Sequence, residues 1–178
     1  MSDGVVSLRE WREEDAQVVF EACQDELILR WMPIIPRPYT MDDALAFVRD
    51  ELGLGPHQFA VVADERVVGS TGIRIGQNEV GEVGYWCARE ARGRGVIPRA
   101  VRLLSRYAFE SLGLGRLQLT ADPENLASQR VAEKVGFRRE GVLRSHMLHP
   151  DGRRRDSVMF SLLPGELREE SGGPGRKE

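Results

Sequence analysis

The period of the apolar residues changes several times along this 178-residue chain. Val5 to Leu8 reads as a short first strand, and Asp15 to Gln24 as a helix turning Val18, Val19, Ala22 and Cys23 to the core. Ile28 to Tyr39 breaks the pattern. There Trp31, Met32, Ile34 and Ile35 are interleaved with three prolines, which predicts an irregular connector. Thr40, with Asp43 three positions on, then signals the start of a helix from Met41 to about Glu51 that carries Ala44, Leu45, Phe47 and Val48. Gln58 to Ala63 and Arg66 to Ile75 predict strands around the turn Asp64-Glu65, and Val80 to Cys87 a third after Gln77-Asn78-Glu79. From Arg99 to Ser111 the period is helical again, with Val101, Leu104, Tyr107 and Ala108 on one stripe. A strand from Arg116 to Ala121, a second helical stretch and a hairpin from Phe137 to Leu162, turning at Pro150-Asp151-Gly152, complete the pattern. This order predicts a mixed α/β (α+β) fold: a largely antiparallel, twisted central sheet of about six or seven strands with helices on both faces.

Length and composition narrow the class. A hydrophobic content of 41% suits an ordinary core, so residues 1–164 are expected to form a single domain. Residues 165–178, rich in Gly, Glu, Arg and Pro, are expected to form a flexible C-terminal tail. The net charge of −3 gives no general attraction to nucleic acid, and no apolar run is long enough to span a bilayer. Cys23 and Cys87 lack metal-like spacing, and the first residues lack signal-peptide features, so a soluble protein of the reducing cytoplasm is expected. His57, His146 and His149 show no ligand spacing, so no metal is expected.

The candidate chemistry begins at Arg92-Gly93-Arg94-Gly95-Val96-Ile97-Pro98-Arg99, which joins the strand ending at Cys87 to the helix that follows. A helix N-terminus reached through glycines offers unpaired N–H groups and the positive end of a dipole to an anion. Arg92, Arg94 and Arg99 add formal charge. Neither common phosphate loop is present: no Walker run occurs, and the third glycine of a dinucleotide fingerprint is replaced by Pro98. A pyrophosphate cradle and a solvated arginine-rich turn both remain open on these residues alone.

Read with Asn125-Leu126-Ala127-Ser128 and Glu133-Lys134-Val135-Gly136-Phe137, the loop resembles that of the GNAT acyl-CoA N-acyltransferases, most closely their Rim-type branch, over roughly residues 6–163. The resemblance implies a GNAT-like sheet, acetyl-CoA as acyl-donor substrate, and a pyrophosphate loop at Arg92, Gly93, Arg94, Gly95, Val96 and Ile97. Arg92 and Gly95 match the family's Gln/Arg-x-x-Gly-x-Gly/Ala pattern; Ile97 replaces its small last residue, a departure that would narrow the approach of a phosphate. It further implies a β-like pairing of the pantetheine with the strand backbone at Trp86 and Cys87, and an acceptor wall formed by the helix-loop-helix region around the connector Ile28 to Tyr39 and the helix that follows it; a packed surface loop is the alternative there.

Acylation of an amine by a thioester needs a group to take the amine proton and a donor for the departing sulfur. Glu82, on the strand leading into the loop, is the candidate base; its alternative is an exposed strand glutamate. Many relatives carry a tyrosine before the Glu-Lys pair, where this chain has Ala132, and Ser128 matches the Rim-type serine instead. Asn125 suits the pantetheine amides. Ser128 and Asn125 are equally readable as helix-capping residues. No cysteine–histidine nucleophile pattern exists, so direct transfer in a ternary complex is expected. Arg153-Arg154-Arg155 either contacts an acidic partner or forms a solvated face.

The implied activity is acetyl transfer to a primary amine, foremost the N-terminal amine of a ribosomal or other protein or peptide, by a monomer or homodimer. Two alternatives stand beside it: a small-molecule amine acetyltransferase or succinyl-CoA-using transferase, and a non-catalytic acyl-CoA-binding module.

Overall fold

The computed structural model describes residues 1–168. The chain begins with β1 (Val6–Arg9), α1 (Ala16–Ala22), α2 (Glu26–Trp31) and α3 (Met41–Val48), then runs the meander β2 (Gln58–Ala63), β3 (Arg66–Ile75) and β4 (Val80–Cys87). Next come α4 (Val96–Glu110), β5 (Arg116–Ala121) and α5 (Leu126–Val135), closed by the hairpin of β6 (Arg138–Leu148) and β7 (Arg154–Leu162). All seven strands belong to one sheet in the order β1-β2-β3-β4-β5-β7-β6. Every neighbouring pair is antiparallel except β4 and β5, so the expected mixed, largely antiparallel sheet is the observed one.

Local chemistry sets most boundaries. Asp64 and Glu65 both adopt positive φ (48° and 61°), a two-residue turn whose twist matches that of the flanking strands. The Thr40–Asp43 cap is reciprocal: Asp43 N–H donates to Thr40 Oγ1 at 3.2 Å, and Thr40 N–H donates to Asp43 Oδ2 at 2.8 Å. Two expectations are corrected. α2 forms inside the expected connector, because Asp25 accepts from the N–H groups of Leu27 (2.9 Å) and Ile28 (3.2 Å) and the prolines come only after Met32. α4 begins at Val96 instead of Arg99, capped by Gly95 in the left-handed region at φ 75°. Pro98 then falls in the first helical turn, where its missing N–H costs no intrahelical bond.

Helices cover both faces. On one, α4 and α5 bury Val101, Leu104, Ala108 and Ala132 against Leu8, Val61, Ile73, Leu117, Leu119 and Phe160. On the other, α1, α2 and α3 pack Val19, Ile28 and Ala44 around Trp86 and Ala88. β4 alternates between the two, sending Val83 to the α4 side and Trp86 to the α1–α3 side.

The chain after β7 remains docked as far as it is described. Arg168 N–H donates to Val135 O at 2.9 Å, Leu167 packs on the α4–α5 side, and Glu166 pairs with Arg138 at 2.9 Å. Gly136 permits this approach, since a Cβ there would stand 2.5 Å from Glu166 O. The first residues of the expected tail, up to Arg168, thus make contacts with α5 and β6; its remainder, 169–178, lies outside the described residues. Among the described residues no helix is long and apolar enough to cross a membrane.

Candidate active site

β4 and β5 pair only at Val80 with Arg116, Gly81 with Leu117 and Glu82 with Gln118. β4 then follows β3 as far as Cys87, and β5 follows β7 as far as Ala121. Neighbouring strands that stop pairing leave an opening edged by backbone N–H and C=O groups.

Peptide groups alternate in direction along a strand, which decides whose groups line this opening. Gly76 N–H donates to Val80 O and Ala88 N–H to Val68 O, so the even-numbered residues of β4 turn their backbone toward β3. The carbonyl of Trp86 accordingly crowds Gly69, where an added Cβ would lie 2.5 Å away. The backbone groups of Tyr85 and Cys87 turn to the opening. Of the two residues expected to pair with a pantetheine, Cys87 has this orientation and Trp86 does not. The Cys87 carbonyl already accepts from Arg92 Nε at 3.2 Å.

Glu82 stands at the root of the opening, in the last pair before the strands part. Its side chain is 35% exposed, lies across the sheet from the α4 core, and meets the Arg74 guanidinium at 2.5 Å. With Arg74, Gln118 and Val80 it lines a depression of about 370 Å³. Gly84, two residues on and on the same face, is exposed, and an added Cβ would meet no atom within 4 Å. Open space thus lies between Glu82 and Trp86.

On the far side of the opening, Asn125 caps α5, its Oδ1 accepting the Ser128 N–H at 3.1 Å. Ser128 Oγ lies 2.8 Å from the hydroxyl of Tyr85, which also donates to Ser128 O at 3.2 Å. Asn125 therefore does serve as the capping residue, whereas Ser128 supplies only the capped N–H and its hydroxyl is tied across to β4. Tyr85 is the site residue that the sequence reading misses. Burial pushes its phenol up to about 12, with the Ser128 hydrogen bond pulling in the opposite direction.

In the loop, Gly93 and Gly95 both hold φ 75°, and nothing approaches within 4 Å of where a Cβ would be. Val96 and Ile97 are 5% and 6% exposed, their side chains buried in the α4 core. Ile97 reaches toward Gly69 of β3, so its branched side chain does not narrow the loop, contrary to expectation. The arginines are each answered by a carboxylate. Arg92 lies 3.1 Å from Asp25, Arg94 2.5 Å from Asp64, and Arg99 3.0 Å from Asp3. Backbone N–H groups and the helix dipole are what the loop presents to an anion.

Burial pushes both thiols, Cys23 and Cys87, up to about 11, which leaves neither as a nucleophile near neutral pH. His57 and His146 bond singly to Tyr107 (3.3 Å) and Ser157 (3.1 Å). Among the described residues no group of three His, Cys, Asp or Glu side chains could hold a metal ion. In the run 153–155 two arginines form a solvated face and one turns inward: Arg153 and Arg154 are exposed, with Arg153 beside Asp151 (2.8 Å) and Arg154 donating to Ser145 O (2.9 Å), whereas Arg155 lies largely buried 2.6 Å from Asp122.

Comparison with known proteins gives the family and the fold. An acetyltransferase (GNAT) domain model matches residues 6–138. The chain is 32% identical over 168 residues to the uncharacterised N-acetyltransferase p20 of Bacillus licheniformis, covering 90% of this chain and 94% of that protein. It is 43% identical over 89 residues to YdaF of Bacillus subtilis (strain 168), provisionally named a ribosomal N-acetyltransferase, covering 50% of this chain and 48% of YdaF. The structure of Mycobacterium smegmatis RimJ in complex with CoA-disulfide superposes with a TM-score of 0.79 at 28% identity, covering 93% of this chain and 85% of RimJ.

Proposed function

The chain belongs to the GNAT acetyltransferase family and is an acetyl-CoA-dependent N-acetyltransferase, and from that premise we propose that its acceptor is the N-terminal amine of a protein or peptide. The observation that carries this reading is the parting of β4 and β5 just beyond Glu82 and Gln118, with a carboxylate at its root and a serine hydroxyl across it. Acetyl-CoA supplies an acetyl group as a thioester, ready for transfer without a covalent enzyme intermediate. The free backbone edge at Tyr85 and Cys87 and the amide group of Asn125 would hold the pantetheine, and the N–H groups from Gly93 to Ile97 its pyrophosphate. Glu82 Oε takes the proton of the attacking amine, and Ser128 Oγ donates its hydrogen to the sulfur as that atom leaves.

Amine chemistry favours an N-terminus. At pH 7 about a tenth of an α-amine with pKa ~7.7–8.0 is already neutral, against roughly one in two thousand for a lysine-type amine near 10.4. A carboxylate that shares its charge with Arg74 is asked for least by the α-amine. The exposed, unobstructed face at Gly84 admits the end of a chain, and the likeness to YdaF points the same way. A succinyl donor would need a cationic partner, whereas Arg74, Arg92 and Arg155 around the site each face a carboxylate.

The test is release of CoA thiol from acetyl-CoA across a panel of N-terminal peptides, polyamines and aminoglycosides, with succinyl-CoA in parallel. Peptide-dependent release from acetyl-CoA is expected. Release with small amines alone, or from succinyl-CoA alone, would reject the proposed acceptor or donor.

A further inference from the structure

Resting on the role given to Ser128 above, we propose that Tyr85 is a positioning residue: its phenolic hydrogen engages Ser128 Oγ and thereby turns the serine hydrogen toward the sulfur of the acyl donor.

Hydrogen accounting is the basis. Each hydroxyl carries one hydrogen and can accept others. Tyr85 O–H has two acceptors within reach on a single residue, Ser128 O at 3.2 Å and Ser128 Oγ at 2.8 Å. When Tyr85 donates to the carbonyl, Ser128 must give its own hydrogen to the Tyr85 oxygen, and that hydrogen is occupied. When Tyr85 donates to Oγ, the serine hydrogen is released to point elsewhere. The Ser128 backbone leaves no further freedom, because its N–H is fixed on Asn125 Oδ1 at 3.1 Å. A small turn of two O–H bonds, with no heavy atom moving, thus converts a capped serine into a directed donor.

Tyr85 is suited to this and not to supplying the proton itself. Burial holds the phenol neutral far above physiological pH. It remains a donor while electron density gathers on the sulfur, and polarises the Ser128 O–H as a second bond in a chain of two. The chemistry balances without it. The C–N bond forms as the C–S bond breaks, the electron pair of the latter stays on sulfur, the amine gives one proton to Glu82, Ser128 passes its own to the sulfur, and the proton on Glu82 returns through solvent to the serine oxygen. Its place is equally specific: Tyr85 lies on the edge of β4 where pairing with β5 has ended, and its hydroxyl reaches the first turn of α5. The family's tyrosine position before the Glu-Lys pair is Ala132 here, wholly buried, so Tyr85 is the phenol at this serine.

The experiment is a double-mutant cycle with Tyr85→Phe and Ser128→Ala, read in two ways. In turnover with the best acceptor of the panel, Tyr85→Phe is expected to lower kcat about tenfold with KM for acetyl-CoA within about twofold, and Ser128→Ala to lower it about a hundredfold. The double variant should be no slower than Ser128→Ala, since Tyr85 acts through the serine. The second readout needs no acceptor. The thiolate absorbance of bound CoA, titrated against pH, should shift upward by about one unit in either variant and no further in both, as a directed O–H donor is lost. Thermal melting of Tyr85→Phe within a few degrees of the parent excludes a folding effect. Unchanged kcat and thiol titration in Tyr85→Phe, a change in KM alone, or additive losses in the double variant would each overturn the proposal. Full activity and an unshifted titration in Ser128→Ala would instead remove the serine's role, and the inference with it.

Discussion

Gly84 lies between Glu82 and Trp86 on one face of β4, with no atom near the position its side chain would take. Its φ is not in the left-handed region, so a larger residue is accepted by the backbone there. Gly84→Leu is expected to leave the melting temperature within a few degrees and the affinity for acetyl-CoA unchanged, while raising KM for the acceptor at least about tenfold through steric exclusion. Calorimetric titration with acetyl-CoA beside peptide-dependent kinetics separates the two effects. Glu82→Gln is expected to lower kcat about a hundredfold, the usual scale of a lost general base, again without weakening acetyl-CoA binding. The amide keeps the shape and a hydrogen-bond acceptor for Arg74, so a mere packing role would leave kcat intact. The placement of Glu82 at the root of the opening and of Ser128 across it is legible from strand position and from the spacing after Asn125, whereas the roles given to them are proposals. Tyr85 is not, since an aromatic on a half-buried strand reads as core and its partner lies 43 positions away.

At the scale of elements, β4 presents one edge to β3 and leaves the other unpaired beyond Glu82. Hydrogen exchange resolved by residue tests this division. The amide of Trp86 should be slow with or without acetyl-CoA, whereas those of Tyr85 and Cys87 should exchange fast in the free protein and slow on binding. Equal protection of all three in the free protein would mean that the edge is closed. The link from β1 to α1 rests on a different interaction. Asp15, 5% exposed, receives Arg9 Nη1 and Nη2 at 2.7 and 2.8 Å and the Arg12 N–H at 2.8 Å. Burial alone would raise this carboxyl, but Arg9 and the Arg12 N–H outweigh it and hold it below the ordinary range. A carboxyl lowered in the folded state adds stability that is complete above its unfolded value, about 3.9, and is lost as pH falls through the folded one. Asp15→Asn is therefore expected to cost about 2 kcal/mol at pH 7 in urea unfolding, and the gap from the parent should close progressively below about pH 4. Most strand limits follow from alternation and turn residues. α2 is hidden by the prolines after it, although Asp25 followed by Glu26 is the cap signal that marks its start. The early end of the β4–β5 pairing depends on contacts between distant segments, which no local period encodes.

In the molecule as a whole, the sheet consists of a four-strand half, β1 to β4, and a three-strand half, β5 to β7, that share three backbone pairs. Side chains take over where the backbone stops. The Tyr85–Ser128 contact crosses from β4 to α5, Arg30 reaches Glu124 at 2.6 Å, and Arg155 donates to Trp31 O at 3.3 Å while facing Asp122. The first is part-buried and the second solvent-exposed on both partners, so the second adds little, whereas Arg155 is largely buried. A ligand that pairs with the free edge of β4 supplies the backbone bonds missing between the halves and binds only the folded form. At a free concentration about a hundred times its Kd, acetyl-CoA should therefore add about 2.7 kcal/mol of stability. For a chain of this size that corresponds to a rise in Tm of about 5–10 °C. The rise should track the acyl-CoA itself: CoA fragments lacking the pantetheine, such as 3′,5′-ADP, occupy no part of the opening and should give much less. Equal stabilisation by the fragment would show that binding energy resides outside the gap, and that the parted strands are not where the donor is held.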